Sequence, residues 1–155
     1  MTTSDHATSG TLAPVRRSVH VRCAPEQAFR VFTDRIGDWW PLLSHSVYEA
    51  ESAAVAFEDG LLVEQSLAGE RSVWGTVTGW EPPHRLSLTW HPGTDPERPT
   101  AVEVVFRPEG EGTTVELVHH GWELLGERAP RTRESYDRGW PAVLDRFGSA
   151  ADEAA

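Results

Sequence analysis

The fold is decided by residues 85–119, RLSLTWHPGTDPERPTAVEVVFRPEGEGTTVELVH, in which three apolar alternations follow one another. The alternating positions are Leu86, Leu88 and Trp90, then Val102, Val104 and Phe106, then Val115, Leu117 and His119. Side chains two residues apart lie on the same face of a strand. Short breaks rich in glycine and proline separate the three segments. The pattern predicts consecutive antiparallel strands that present one continuous apolar face.

The alternation extends towards the N-terminus. The candidate strands there lie at Val15–Arg22 and near residues 47–50, 54–58, 61–67 and 71–80. A short helix is expected after the first strand, because Pro25 suits the first helical turn and Phe29 and Phe32 recur at helical spacing. Gly37 is its expected stop, and a second short helix precedes the remaining strands.

A long C-terminal helix is expected to cover the apolar face. Its stripe consists of Tyr136, Trp140, Val143, Leu144 and Phe147, at the spacing of an amphipathic helix. Gly139 and Pro141 interrupt the stripe, and Pro141 predicts a kink near residues 137–140. A kinked helix does not lie flat on a curved sheet, so we expect an apolar cavity between them.

The length of 155 residues favours one domain. We expect residues 1–13 to be a disordered tail, because they are small and polar, and residues 14–148 to form the folded domain. Residues 149–155 are small or acidic and are expected to fray.

Composition argues against several classes of function. The net charge of −10 opposes nucleic-acid binding, which depends on clustered basic residues. The single Cys23 cannot form an intramolecular disulfide. Apolar runs are too short for a membrane span, and we expect a cytoplasmic protein that is a monomer or a weak homodimer. Nucleophile, phosphate-binding, dinucleotide and metal motifs are missing, so we expect no cofactor and no metal.

Several segments resemble the START-like superfamily with its helix-grip fold. They are residues 23–29 (CAPEQAF), 39–41 (WWP), 75–86 (GTVTGWEPPHRL), 89–90 (TW) and 139–144 (GWPAVL). Together they are similar to the branch related to the C-terminal domain of the activator of Hsp90 ATPase. Within that branch, START-domain proteins that confer self-resistance to enediyne antibiotics share the WWP and GWP patterns. The resemblance implies an α+β fold, in which a curved antiparallel sheet wraps around the C-terminal helix, and a ligand cavity.

The candidate ligand-binding residues are mostly aromatic, because apolar pockets are commonly walled by such side chains. They are Trp39, Trp40, Trp74, Leu88, Trp90, Val104, Phe106, Leu117, His119, Trp122, Tyr136, Trp140 and Leu144. His119 shares the inward register of Leu117, where it would be neutral and could act as a general base or as a hydrogen-bonded core residue. Arginines 128, 131, 133 and 138 could frame an entrance for an anionic group, although interleaved acidic residues favour surface ion pairs.

Three hypotheses for function follow. The first is binding of a hydrophobic natural product, polyketide or lipid-like metabolite, with antibiotic self-resistance by sequestration as a special form. The second is a polyketide cyclase or aromatase in which His119 moves a proton. The third, suggested by the family resemblance, is a module that contacts the chaperone Hsp90.

Overall fold

The computed structural model describes residues 12–155, which form one seven-stranded antiparallel sheet, three α-helices and two short 3-10 helices. The elements are β1 (Val15–Val21), α1 (Pro25–Thr33), α2 (Ile36–Trp39), β2 (Ser52–Glu58), β3 (Leu61–Ser66), β4 (Arg71–Glu81), β5 (Arg85–Trp90), β6 (Thr100–Glu109), β7 (Gly112–His120) and α3 (Ala129–Ala154). The strand order is β1-β7-β6-β5-β4-β3-β2. This is the expected α+β helix-grip fold.

The predicted apolar face of β5, β6 and β7 is confirmed. The strand register places Leu88 beside Val102 and Val102 beside His119. All nine alternating side chains are at most 5% exposed, so they form one buried surface. Burial of such a surface is the main favourable contribution to folding.

The terminal helix covers this face as expected. Trp140, Val143, Leu144 and Phe147 are each at most 2% exposed. The Phe147 ring contacts Phe32 of α1, with ring centroids 5.1 Å apart. Helix α3 runs without a break from Ala129 to Ala154, with Pro141 inside it. The kink near residues 137–140 therefore stays a prediction.

The strand expected near residues 47–50 was wrong. This segment consists of bends and a 3-10 helix at Glu49–Glu51. The backbone amides of Val47 and Tyr48 donate to the buried carboxylate of Glu64. Because a side chain accepts these amide protons, they are not available to a neighbouring strand.

The stop expected at Gly37 was also wrong. Helix α1 ends at Thr33, and Gly37 lies inside α2. A Cβ atom at Gly37 would lie 2.8 Å from the carbonyl oxygen of Val55. Glycine at this position therefore allows α2 to approach β2 closely rather than ending a helix.

The chain ends differ from the expected boundaries. Helix α3 continues to Ala154, and Ala151 is fully buried, so the structure does not show the fraying expected over residues 149–155. Residues 1–11 of the expected tail lie outside the described residues. Of the remaining two, Leu12 packs against the core and the Ala13 carbonyl accepts a hydrogen bond from Arg133.

Candidate functional site

A pocket of about 550 Å³ opens at one end of the space between the sheet and α3. It is bordered by α3, by Trp74 of β4 and Trp90 of β5, and by the loop that follows α2. We call it the grip pocket. It is lined by Trp40, Ser44, His45, Ser46, Val47, Trp74, Trp90, Pro92, Gly93, Ser135, Tyr136, Gly139, Trp140 and Val143. Ligand pockets are usually between roughly 300 and 1,000 Å³, so this one is large enough for a small organic molecule.

Four indoles form one wall of the grip pocket, and we call them the indole wall. They are Trp40, Trp74, Trp90 and Trp140. Their rings contact one another, with centroids 5.1 Å apart for Trp40 and Trp74 and 5.3 Å apart for Trp90 and Trp140. Tyr136 stacks on Trp140 at 5.9 Å with an interplanar angle of 28°. Mutual contact holds the rings in place, so the wall is preorganised for a flat apolar guest.

Internal acceptors satisfy three of the four indole N–H groups. Trp40 donates to the His45 carbonyl at 2.7 Å, and Trp74 donates to Glu64 at 2.9 Å. Trp140 donates to Nδ1 of His119 at 3.0 Å. The buried Trp90 nitrogen has no hydrogen-bond partner among the described residues. The wall therefore offers the pocket mainly carbon, because three of its four N–H groups are bonded inside the protein.

Glu64 anchors the loop side of the grip pocket. Its carboxylate is fully buried and accepts hydrogen bonds from the amides of Val47 and Tyr48 and from the Trp74 indole. Burial by itself would raise the pKa of Glu64, but the surrounding hydrogen-bond donors outweigh it and hold the pKa below its usual range. Glu64 therefore stays ionised and fixes both Trp74 and the loop. It was not among the predicted residues, because a single Glu in an apolar strand carries no periodic signal.

His119 is buried and fully hydrogen-bonded. Its Nδ1 accepts from Trp140, so its Nε2 carries the proton and donates to Thr100 Oγ1 at 2.7 Å. The Thr100 hydroxyl in turn donates to the Trp90 carbonyl at 3.0 Å. Burial, with a smaller effect from His120, lowers the pKa of His119 to about 3. A neutral imidazole with both nitrogens engaged ties the helix to the sheet and has no free lone pair for a general base.

The deep interior of the grip is filled by the protein's own side chains. Leu88, Val104 and Leu117 border a void of only about 10 Å³. That is about the smallest space that can hold one water molecule. The cavity expected between sheet and helix is therefore restricted to the end of the grip, where the grip pocket lies.

The structure divides the predicted site residues into two groups. Trp40, Trp74, Trp90, Tyr136 and Trp140 line the grip pocket. The others do not line it and are core residues, each at most 2% exposed except Leu88 at 3%. These residues are Trp39, Leu88, Val104, Phe106, Leu117, His119, Trp122 and Leu144.

Sequence reasoning missed the polar rim of the grip pocket. Ser44 and His45 lie in the loop after α2, and their side chains are joined by a 2.7 Å hydrogen bond between Ser44 Oγ and His45 Nδ1. Ser135 and Gly139 contribute from α3. Gly139 stood out in the sequence as an interruption of the helical stripe and as part of the GWP pattern, but not as a residue that lines a pocket. A loop residue has no periodicity that would reveal where its side chain points.

Within residues 12–155, no group of three His, Cys, Asp or Glu side chains could hold a metal ion. In the same residues, no helix is both long and apolar enough to cross a membrane.

Comparisons with known proteins agree with this architecture. A family profile described as "Activator of Hsp90 ATPase homolog 1-like protein" matches residues 22–152. A solved structure described as an anthrahydroquino-gamma-pyrone synthase, Txn09, complexed with SUM is 37% identical. The alignment covers 91% of this chain and 98% of that chain, with a TM-score of 0.62. Among curated protein sequences, none matches the chain.

Two more distant structures show likeness of fold. CalC from Micromonospora echinospora, described as a self-sacrificing resistance protein, is 24% identical with a TM-score of 0.70. That match covers 92% of this chain and 96% of CalC. An AHSA1-like protein from Aeromonas hydrophila is 19% identical with a TM-score of 0.63, covering 91% of this chain and 93% of that chain.

Proposed function

We propose that this chain, which belongs to the family of activator of Hsp90 ATPase homolog 1-like proteins, binds an uncharged, planar, polycyclic aromatic molecule of polyketide type in the grip pocket. The observation that carries this proposal is the indole wall, whose four rings border a space of about 550 Å³. Aromatic rings stack favourably on other aromatic rings, in addition to the gain from burying apolar area. A flat molecule of three or four fused rings matches such a wall.

The charge of the lining favours an uncharged ligand. None of the pocket-lining side chains in the described residues is Arg, Asp or Glu. The arginines considered for an anionic entrance are elsewhere: Arg133 bonds to the carbonyls of Ala13 and Pro14, and Arg138 pairs with Glu134. A charged ligand would lose its hydration in this pocket without an ion-pair partner, which is unfavourable.

The comparison with Txn09 supports the same ligand class. That protein is described as a synthase of an anthrahydroquino-gamma-pyrone, which is a fused-ring aromatic product, and it shares 37% identity over 91% of this chain. We therefore place the ligand of this chain among polycyclic aromatic polyketides rather than among linear lipids.

Tryptophan fluorescence provides a direct test, because the indole wall would be quenched by a bound ring system. Titration with 9,10-anthraquinone and with pyrene is expected to give saturable quenching, and palmitate is expected to give none. Trp80 is 44% exposed and packs against Phe29 outside the grip pocket, so the Trp80→Phe variant lowers background emission without changing affinity.

A blocking variant distinguishes the grip pocket from other surfaces. Val47 lines the mouth and is 37% exposed, so Val47→Trp places an indole in the pocket while its backbone bond to Glu64 remains. We expect this variant to lose at least about tenfold in affinity, a free-energy change of about 1.4 kcal/mol. Absence of saturable binding to both aromatic probes, or equal binding by Val47→Trp, would contradict the proposal.

A second candidate function is ring closure on such a molecule. The observation that favours it is the 37% sequence identity to Txn09, which is described as a pyrone synthase. Incubation with the substrate of Txn09, followed by mass spectrometry and chromatography, distinguishes turnover from binding. Conversion to the pyrone above the uncatalysed rate supports an enzyme, and recovery of unchanged bound compound supports a carrier or sequestering protein. Survival of a sensitive host that expresses the chain would test antibiotic sequestration.

A further inference from the structure

His45 is a polar residue of the grip pocket whose backbone is held on both sides. Its amide donates to the Pro41 carbonyl at 2.9 Å, and its carbonyl accepts from the Trp40 indole at 2.7 Å. Its Nδ1 is paired with Ser44 Oγ at 2.7 Å. The remaining ring nitrogen, Nε2, has no hydrogen-bond partner among the described residues. The imidazole is thus fixed at one end and unpaired at the other.

Gly139 lies opposite the unpaired edge of His45. A Cβ atom at Gly139 would lie 3.7 Å from both Cδ2 and Nε2 of His45, which is ordinary van der Waals contact. Alanine would therefore fit without a clash. Glycine is nonetheless one of the least favourable residues in a helix interior, and Gly139 is ten residues inside α3. The space that it leaves open is the space in front of Nε2.

We propose that His45 recognises an oxygen substituent on the aromatic ligand through Nε2, and that Gly139 is the specificity-determining position that leaves this nitrogen accessible. This inference rests on the proposed function. It narrows the ligand class from planar aromatic molecules in general to those that carry a hydroxyl or carbonyl group on the ring edge that faces α3.

The Ser44–His45 pair can serve either type of oxygen. When the Ser44 hydroxyl donates to Nδ1, Nε2 carries a proton and donates to a carbonyl oxygen of the ligand. When Nδ1 donates to Ser44, Nε2 is an acceptor for a ligand hydroxyl. His119 cannot take this role, because Trp140 and Thr100 occupy both of its nitrogens.

Three probes of nearly equal shape test the inference: pyrene, 1-hydroxypyrene and 1-methoxypyrene. We expect 1-hydroxypyrene to bind the full chain about threefold to tenfold more tightly than pyrene, the factor that one net hydrogen bond supplies. The methoxy compound has no proton to donate and its ether oxygen is a weak acceptor, so we expect its gain over pyrene to be smaller than that of 1-hydroxypyrene.

Substitutions test which residues cause the preference for 1-hydroxypyrene over pyrene. His45→Ala is expected to bind pyrene and 1-hydroxypyrene with equal affinity, because the preference depends on Nε2, whereas His45→Gln keeps part of the preference. Gly139→Ala is expected to lose the preference while retaining or gaining thermal stability, so a loss cannot be attributed to unfolding. His120→Ala changes an exposed histidine outside the pocket and is the matched control.

The outcomes separate the two proposals. If pyrene itself fails to bind the wild-type chain, the proposed function is wrong. If pyrene binds but the ratio of the two affinities is the same in wild type, His45→Ala and Gly139→Ala, the inference about His45 and Gly139 is overturned while the proposed function stands.

Discussion

The indole nitrogen of Trp140 donates a 3.0 Å hydrogen bond to Nδ1 of His119, and this bond joins the covering helix to the sheet beneath it. The same bond fixes the tautomer of His119, whose protonated Nε2 donates a hydrogen bond to Thr100 Oγ1. Because His119 is fully buried, loss of either partner would leave a polar group without water or protein to bond. Of the two roles considered for His119, a general base and a hydrogen-bonded core residue, these contacts favour the core residue.

Acid is expected to destabilise the fold through His119. Its pKa falls from the ordinary 6.5 to about 3, chiefly because burial disfavours the charged form. As the pH drops below about 6.5, the unfolded chain binds a proton that the folded chain refuses, so the free energy of unfolding declines until about pH 3. Urea unfolding at several pH values measures this decline. His119→Gln should reduce the change in the free energy of unfolding between about pH 6.5 and pH 3. A variant with the same pH dependence as the wild type would show that His119 does not cause the decline. His120→Gln serves as the exposed control.

Removal of the Glu64 charge is expected to loosen the loop side of the grip pocket. Glu64→Gln keeps the shape but turns an amide group towards three donors that need acceptors. We expect a loss of about 2–3 kcal/mol in the free energy of unfolding and weaker pyrene binding, because one amide oxygen replaces two carboxylate oxygens. With the amide oxygen at the Oε1 position the Tyr48 amide loses its acceptor, and with it at the Oε2 position Val47 and Trp74 lose theirs. In the wild-type protein, the stabilisation by ionised Glu64 is fully present above the ordinary carboxyl pKa of 4.5. It is lost as the pH falls through the lowered pKa of Glu64 in the folded state.

The matched control for Glu64 is Glu58→Gln. Glu58 pairs with Arg71 at 2.6 Å, but its side chain is 43% exposed. Exposed ion pairs contribute little, so its unfolding curve should nearly overlay that of the wild type. Equal effects of the two substitutions would show that burial of Glu64 has no special consequence.

Two glycines should respond in opposite directions to alanine. Gly139→Ala is expected to raise the free energy of unfolding by up to about 1 kcal/mol, because alanine is the better helix former and meets only ordinary contacts. Gly75→Ala would place Cβ 1.8 Å from the Thr89 carbonyl oxygen and is expected to destabilise strongly. Thermal melts measure both. A lower Tm for Gly139→Ala would mean that glycine is required there for packing.

The deep interior should matter for stability and not for binding. Leu117 is 1% exposed and borders the small void rather than the grip pocket. Leu117→Ala is expected to cost about 2–5 kcal/mol of stability, the range for a large-to-small core change. Pyrene affinity, measured by calorimetry where the variant is fully folded, should stay at the wild-type value. A tenfold loss of affinity would place the ligand in the interior instead.

Local patterns in the sequence were sufficient for most of the fold. The alternation of Leu86 and Leu88, or of Val104 and Phe106, predicted the inward face because side-chain direction in a strand repeats every two residues. The stripe from Trp140 to Phe147 predicted the covering helix in the same way. Where a distant side chain intervened, the prediction failed: residues 47–50 are not a strand, because Glu64 accepts the amide protons of Val47 and Tyr48.

The sequence by itself determined the sheet, the covering helix and the abundance of indole rings, since periodicity and composition report which way each side chain points relative to its own element. Only the tertiary structure decided that Trp90 borders open space while Leu117 fills the interior, and that His45 lies on the grip pocket while His119 is fully bonded. The reason is that an empty volume belongs to no single segment. It remains where side chains from α3, the sheet and the loop at Ser44–Val47 fail to fill the space between them.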